Sequence, residues 1–66
     1  MRVYVNGQET EIGEGMTPAD ILQERGLDPS VVVVEHNMTI VPKDRLSESV
    51  LGAEDRLELI AFVGGG

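Results

Sequence analysis

The sequence predicts an α+β domain, a mixed β-sheet packed on one main helix. Three observations predict it. Residues 1–12 alternate apolar and polar on either side of Asn6-Gly7. Residues 16–27 carry a full set of helix start and stop signals. Residues 56–63 are apolar on both strand faces, as expected of a central strand.

In residues 1–6, Met1, Val3 and Val5 point one way and Arg2, Tyr4 and Asn6 the other, the period of a half-buried strand. Asn6-Gly7 then predicts a tight hairpin, because a type I′ turn needs positive φ at both central residues. Residues 8–12 return as a second strand, with Thr10 and Ile12 inward and Glu9 and Glu11 outward. Gly13-Glu14-Gly15 is a loop. A helix over 18–25 follows. Thr17 caps it, Pro18 suits its first position, and Asp20 lies near the positive end of the dipole. Met16 can staple onto Ile21, and Ile21 and Leu22 face the core. Gly26 supplies the positive φ of a Schellman ending, with Leu27 reaching back to Leu22.

Asp28-Pro29-Ser30 breaks the chain, and the valine run 31–34 predicts a strand covered on both faces or nearly so. Residues 35–38 read as a turn and 39–41 as a short strand stopped by Pro42. Residues 43–51 have no clean period and form a surface connection pinned by Leu46, Val50 and Leu51. After a turn at 52–55 comes the last strand, 56–63, with Leu57, Leu59 and Ala61 on one face and Glu58, Ile60 and Phe62 on the other. Placed centrally and parallel to the first strand, it completes a β-grasp (ubiquitin-like) roll spanning 1–63, with 64–66 as a glycine tail.

Composition narrows the function. The chain has 66 residues and no cysteine, which excludes disulfide staples, thiolate zinc sites and cysteine nucleophiles. The net charge of -7 repels phosphate backbones, and one Tyr and one Phe supply no base-stacking platform, so nucleic-acid binding is not expected. The same charge suits a basic protein partner or serves solubility alone. No apolar run approaches the ~20 residues of a membrane span, and no signal-peptide core opens the chain, so a cytoplasmic location without membrane contact is expected.

Few residues carry chemistry. His36, the single histidine, reads as a solvated turn residue, and no spacing supports a triad with Ser30 or Ser47. The carboxylates form no calcium loop, and Gly13-Glu14-Gly15 lacks the lysine of a phosphate loop. No catalytic or metal-binding residue is therefore assigned. Gly64-Gly65-Gly66 stands apart. A tail without Cβ atoms fits a narrow channel, and its unhindered terminal carboxylate can attack the α-phosphate of ATP held by another protein. A frayed terminus or the remnant of a linker is the alternative reading, and direct attachment to an apolar strand argues against a linker. Ile60 and Phe62 lie on the strand face opposite Leu57 and Leu59 and form either an exposed apolar patch beside the tail or a surface covered by a loop.

Val3-Tyr4-Val5-Asn6-Gly7, Thr17-Pro18 with Ile21-Leu22, the stretch 31–43 and the ending 55–66 together resemble the sulfur carrier proteins of thiamin biosynthesis (ThiS). Asn37-Met38 departs from the Asn-Gly frequent in that family, and 52–55 from a simple Gly-Asp turn. The resemblance implies a carrier and cosubstrate with no active site or cofactor of its own. An E1-like adenylyltransferase (ThiF-type) would use ATP and Mg to adenylate Gly66, with Gly64 and Gly65 threaded into its site. Sulfur from a cysteine desulfurase or another donor would give a thiocarboxylate, and a thiazole synthase (ThiG-type) would take the sulfur for the thiamin thiazole ring. Glu58, Ile60 and Phe62 would dock the partner. A carrier for a molybdopterin-type pathway and a ubiquitin-like conjugation modifier are the alternative functions.

Overall fold

The computed structural model describes residues 1–62. Strand β1 (Arg2–Val5) and strand β2 (Gln8–Glu11) form an antiparallel hairpin with Arg2 opposite Glu11 and Val5 opposite Gln8. Its turn has φ of 52° at Asn6 and 79° at Gly7, the positive pair that a type I′ hairpin requires. The Asn6 carboxamide does a second job, accepting the Leu59 N–H at 2.7 Å where β1 has run out of carbonyls to offer.

Helix α1 (Pro18–Glu24) starts on a capping box, since the Thr17 hydroxyl accepts the Asp20 N–H and the Asp20 carboxylate accepts the Thr17 N–H at 2.9 Å. It ends as the sequence predicts. The Leu27 N–H donates to the Leu22 carbonyl at 2.9 Å, the Gly26 N–H to Gln23 at 3.1 Å, and Gly26 has φ 68°, which together make a Schellman motif. The helix stops one residue before the predicted Arg25, which caps it.

A 3-10 turn at Pro29–Val31 leads into strand β3 (Val32–His36), which pairs with strand β4 (Thr39–Ile40) across Asn37-Met38. A second 3-10 turn, Lys43–Arg45, opens the connection to strand β5 (Arg56–Ala61). The sheet order is β2-β1-β5-β3-β4, with β5 central, parallel to β1 and antiparallel to β3. This is the mixed sheet on one helix that the sequence predicts.

Val3 and Val5 of β1, Ile21 and Leu22 of α1, Val32 and Val34 of β3, and Leu57 and Leu59 of β5 meet in one core. Ile12, Leu46 and Leu51 close it. The connection before β5 is tied by backbone bonds, with the Ala19 N–H donating to Leu46 at 3.0 Å and the Leu51 N–H to Met16 at 2.9 Å.

Four sequence expectations need correction. Val50 does not pin the connection; it is 63% exposed, while its neighbour Leu51 takes the buried position. Ala61, by contrast, keeps the face it was expected to share with Leu57 and Leu59, and it is exposed there. A helix of seven residues covers only ~10 Å of a six-residue strand that runs ~20 Å. The valine run is buried on one face only, with Val31 exposed in the 3-10 turn and Val33 half-buried. The strand also slides forward, so Glu35 and His36 belong to β3 and the turn contracts to Asn37-Met38, with φ of 50° and 70°. His36 is accordingly no solvated turn residue. It is half-buried, and its Nε2 lies 2.7 Å from Asp55 Oδ2.

Candidate docking face and glycine tail

The strand alternation that buries Leu57 and Leu59 against α1 sends Glu58 and Ile60 to the opposite face of β5. On β3 it sends Val33 and Glu35 to that same face, and on β1 Arg2 and Tyr4. Register then decides who meets whom. Ile60 lies opposite Val33, and Glu58 opposite Glu35. The pairing continues one step beyond β5, where the Phe62 N–H donates to the Val31 carbonyl at 2.8 Å. Val31, Ile60 and Phe62 are 44%, 45% and 60% exposed, so no loop among the described residues covers them. These exposed side chains make an apolar patch at the C-terminal end of β5, contiguous with the residues that precede the tail.

The other end of this face is charged and aromatic. The Arg56 guanidinium lies 4.8 Å from the centre of the Tyr4 ring and that of Arg2 5.9 Å from it, within cation–π range. Arg2 Nη2 donates to Glu54 Oε1 at 2.7 Å, and Nη1 lies 3.6 Å from Glu9. The Arg2 hydrogen bond holds the Glu54 carboxyl below its ordinary range, and Glu54 in turn makes the Arg2 guanidinium harder still to deprotonate.

Beneath this end sits an Asp55 knot. Asp55 accepts hydrogen bonds from the Gly52 N–H at 2.7 Å and Asn37 Nδ2 at 3.1 Å and pairs with His36 at 2.7 Å. Burial pushes the Asp55 carboxyl up. The bonds from Gly52, His36 and Asn37 outweigh burial and hold the carboxyl below the usual range. The knot joins the 52–55 turn to the tip of the β3–β4 hairpin and sets where β5 begins. An open cleft of about 280 Å³ lies beside it, lined by His36, Ile40, Pro42 and Arg45 among others, at the end of the sheet away from Phe62.

Of the residues singled out in the sequence, Glu58, Ile60 and Phe62 fall on one exposed surface, while Gly64, Gly65 and Gly66 lie outside the described residues. Val31, Val33 and Glu35 were missed as members of that surface. Their alternation was legible, but their partner strand was not. Among the described residues, no group of three His, Cys, Asp or Glu could hold a metal ion, and no helix is long and apolar enough to cross a membrane.

Comparison with known proteins agrees with this architecture. A family model described as the ThiS family matches residues 2–66. The chain is 39% identical over 66 residues to a thiazole synthase of Paramagnetospirillum magneticum, covering all of this chain and 20% of that protein. It is 40% identical over 50 residues to the sulfur carrier protein ThiS of Bacillus subtilis, covering 76% of each. The crystal structure of the thiamine biosynthesis protein ThiS of Geobacter metallireducens superposes with a TM-score of 0.83 at 23% identity over the whole of both chains, which shows the fold. The chain spans about one fifth of the length of the thiazole synthases it matches. With a family match from residue 2 through the glycine tail, the chain belongs to the ThiS family.

Proposed function

We propose that this chain carries sulfur for thiamin thiazole synthesis as a thiocarboxylate on Gly66. The observation that carries the reading is the family match through residue 66, which includes Gly64-Gly65-Gly66. The likeness to a curated sulfur carrier and to thiazole synthases supports the pathway over a molybdopterin-type one. In the proposed cycle an E1-like adenylyltransferase binds ATP and Mg. A Gly66 carboxylate oxygen attacks the α-phosphorus and pyrophosphate leaves. AMP is then displaced either by sulfide, which gives the thiocarboxylate directly, or by the persulfide of a cysteine desulfurase, which gives an acyl disulfide that a thiol reductant cleaves to the thiocarboxylate. A thiazole synthase then takes the sulfur. Glu58, Ile60 and Phe62 dock the chain while Gly64 and Gly65 enter the partner's channel, where a Cβ would clash. The chain's own part is recognition and reach, and catalysis is the partner's.

The test is intact and terminal-peptide mass spectrometry of the protein from its native cell, together with ATP–pyrophosphate exchange by the adenylyltransferase of the same genome. The parent should show sulfur in place of one oxygen at Gly66. Deleting Gly66 withdraws the carboxylate by up to ~3.5 Å, adding an alanine after Gly66 pushes it forward, and Gly65→Val branches the chain inside the channel. All three should be poor substrates, since small displacements of a reacting group are costly in rate. They should fold like the parent, because among the described residues the core ends at Leu59. Exchange as fast as the parent's in all three would overturn the reading.

A further inference from the structure

Glu35 and Glu58 stand directly opposite each other on β3 and β5, both on the face that α1 leaves uncovered. Opposed residues in an antiparallel pair have Cβ atoms only ~5 Å apart, and like charges so placed destabilise the sheet. Among the described residues, no cation offsets this pair, and neither carboxylate is in an ion pair. Arg56, the nearest cation on the same face of β5, turns its guanidinium over the Tyr4 ring. On the β1 side the pairing ends at Val5 opposite Leu57, and the next residue, Asn6, commits its carboxamide to the Leu59 N–H. On the β4 side Glu35 is flanked by Ile40. The next step along both strands is the apolar pair Val33 and Ile60, followed by Val31 and Phe62.

We infer that Glu35 and Glu58 form a two-carboxylate clamp for one arginine or lysine of the protein that docks on this face, seated next to apolar side chains that pack on Val33, Ile60 and Phe62. The inference rests on the carrier reading and gives the docking partner its chemistry, an apolar surface with a cation beside it. Two carboxylate groups at this spacing can share a guanidinium, which offers five donors. A partner cation seated there offsets the like-charge opposition of the two strands, so the pair favours binding. A second copy of the chain fits less well, because two bodies of net charge -7 repel.

The test pairs stability with affinity. Glu35→Gln, Glu58→Gln and the double variant are compared with wild type by urea unfolding and by calorimetric titration against the adenylyltransferase of the same genome. Glu48→Gln, an exposed change of the same charge in the connection before β5, controls for general steering. Each clamp variant should unfold at a urea concentration equal to or above that of wild type and yet bind about tenfold more weakly. The double variant should lose less than the product of the single losses, because one cation serves both groups. Glu48→Gln should bind like wild type. Unchanged affinity in the clamp variants, or an equal loss in Glu48→Gln, overturns the clamp while leaving the carrier reading intact. Failure of wild type to bind the adenylyltransferase overturns both. A wild-type dimer in sedimentation that Ile60→Asp dissociates would make a second copy the occupant and also overturn the clamp.

Discussion

Met38 shows how closely a single residue can report on backbone strain. It occupies the second position of the β3–β4 turn with φ 70° and is 91% exposed, so its side chain gains no packing in return. A non-glycine residue in the left-handed region costs ~1–2 kcal/mol, part of which glycine returns as unfolded-chain entropy. Met38→Gly should therefore raise stability by ~0.5–1 kcal/mol, read as a higher midpoint in urea at unchanged slope. Asp55 makes the opposite case. Asp55→Ala strips the Gly52 N–H and the His36 and Asn37 side chains of their common acceptor and should cost ~1–3 kcal/mol. Because the folded carboxyl titrates below its unfolded value near 3.9, its contribution is fully present above that value. It is lost as pH falls through the depressed folded value. Acid titration followed by circular dichroism should thus find Asp55→Asn less stable at pH 7 than wild type and less sensitive to pH below about 4.

At the scale of elements, α1 is held at both ends by local chemistry and on one face by the core. The capping box and the Schellman motif do not depend on the sheet, so they can be removed one at a time. Thr17→Ala should cost ~1 kcal/mol. Gly26→Ala should cost ~1–2 kcal/mol through conformation alone, since a Cβ there meets no atom within 4 Å and only the φ of 68° resists it. If thermal unfolding of Gly26→Ala matched wild type, Gly26 would not be held in this conformation in solution. β5 behaves differently. Its hydrogen bonds run to two neighbours, and its start is set by the Asp55 knot, so its position is a property of the whole sheet.

For the whole molecule, the two faces of β5 divide stability from recognition. Leu59 is buried in the core cluster, and Leu59→Ala should cost ~2–5 kcal/mol. That is much of the ~3–5 kcal/mol expected of a core this small. Phe62 is 60% exposed. Phe62→Ala should leave the unfolding midpoint within ~0.5 kcal/mol of wild type and weaken binding to the adenylyltransferase. A large loss of stability at unchanged affinity would assign Phe62 to folding. The charge of -7 should also make association faster at low salt, because exposed charges are screened over ~8 Å at 0.15 M.

The sequence by itself determined what local physics determines. Asn6-Gly7 required positive φ, Thr17-Pro18-Ala19-Asp20 required a helix start, Gly26-Leu27 required its end, and two-faced apolarity placed the last strand at the centre. These features act over a few residues and need no partner strand to be recognised. The tertiary structure alone decided the rest. His36 looked solvated until the β3–β5 register brought it to Asp55, nineteen positions away. Val50 and Leu51 were equally apolar, and only packing against the helix start separated them. Glu35 and Glu58 became a pair, and Val33 joined Ile60 on one surface, by the same register. A one-residue slip of β3 would turn each of its side chains to the other face, and what forbids that slip is the burial of Val32 and Val34 against a helix that folds on its own signals.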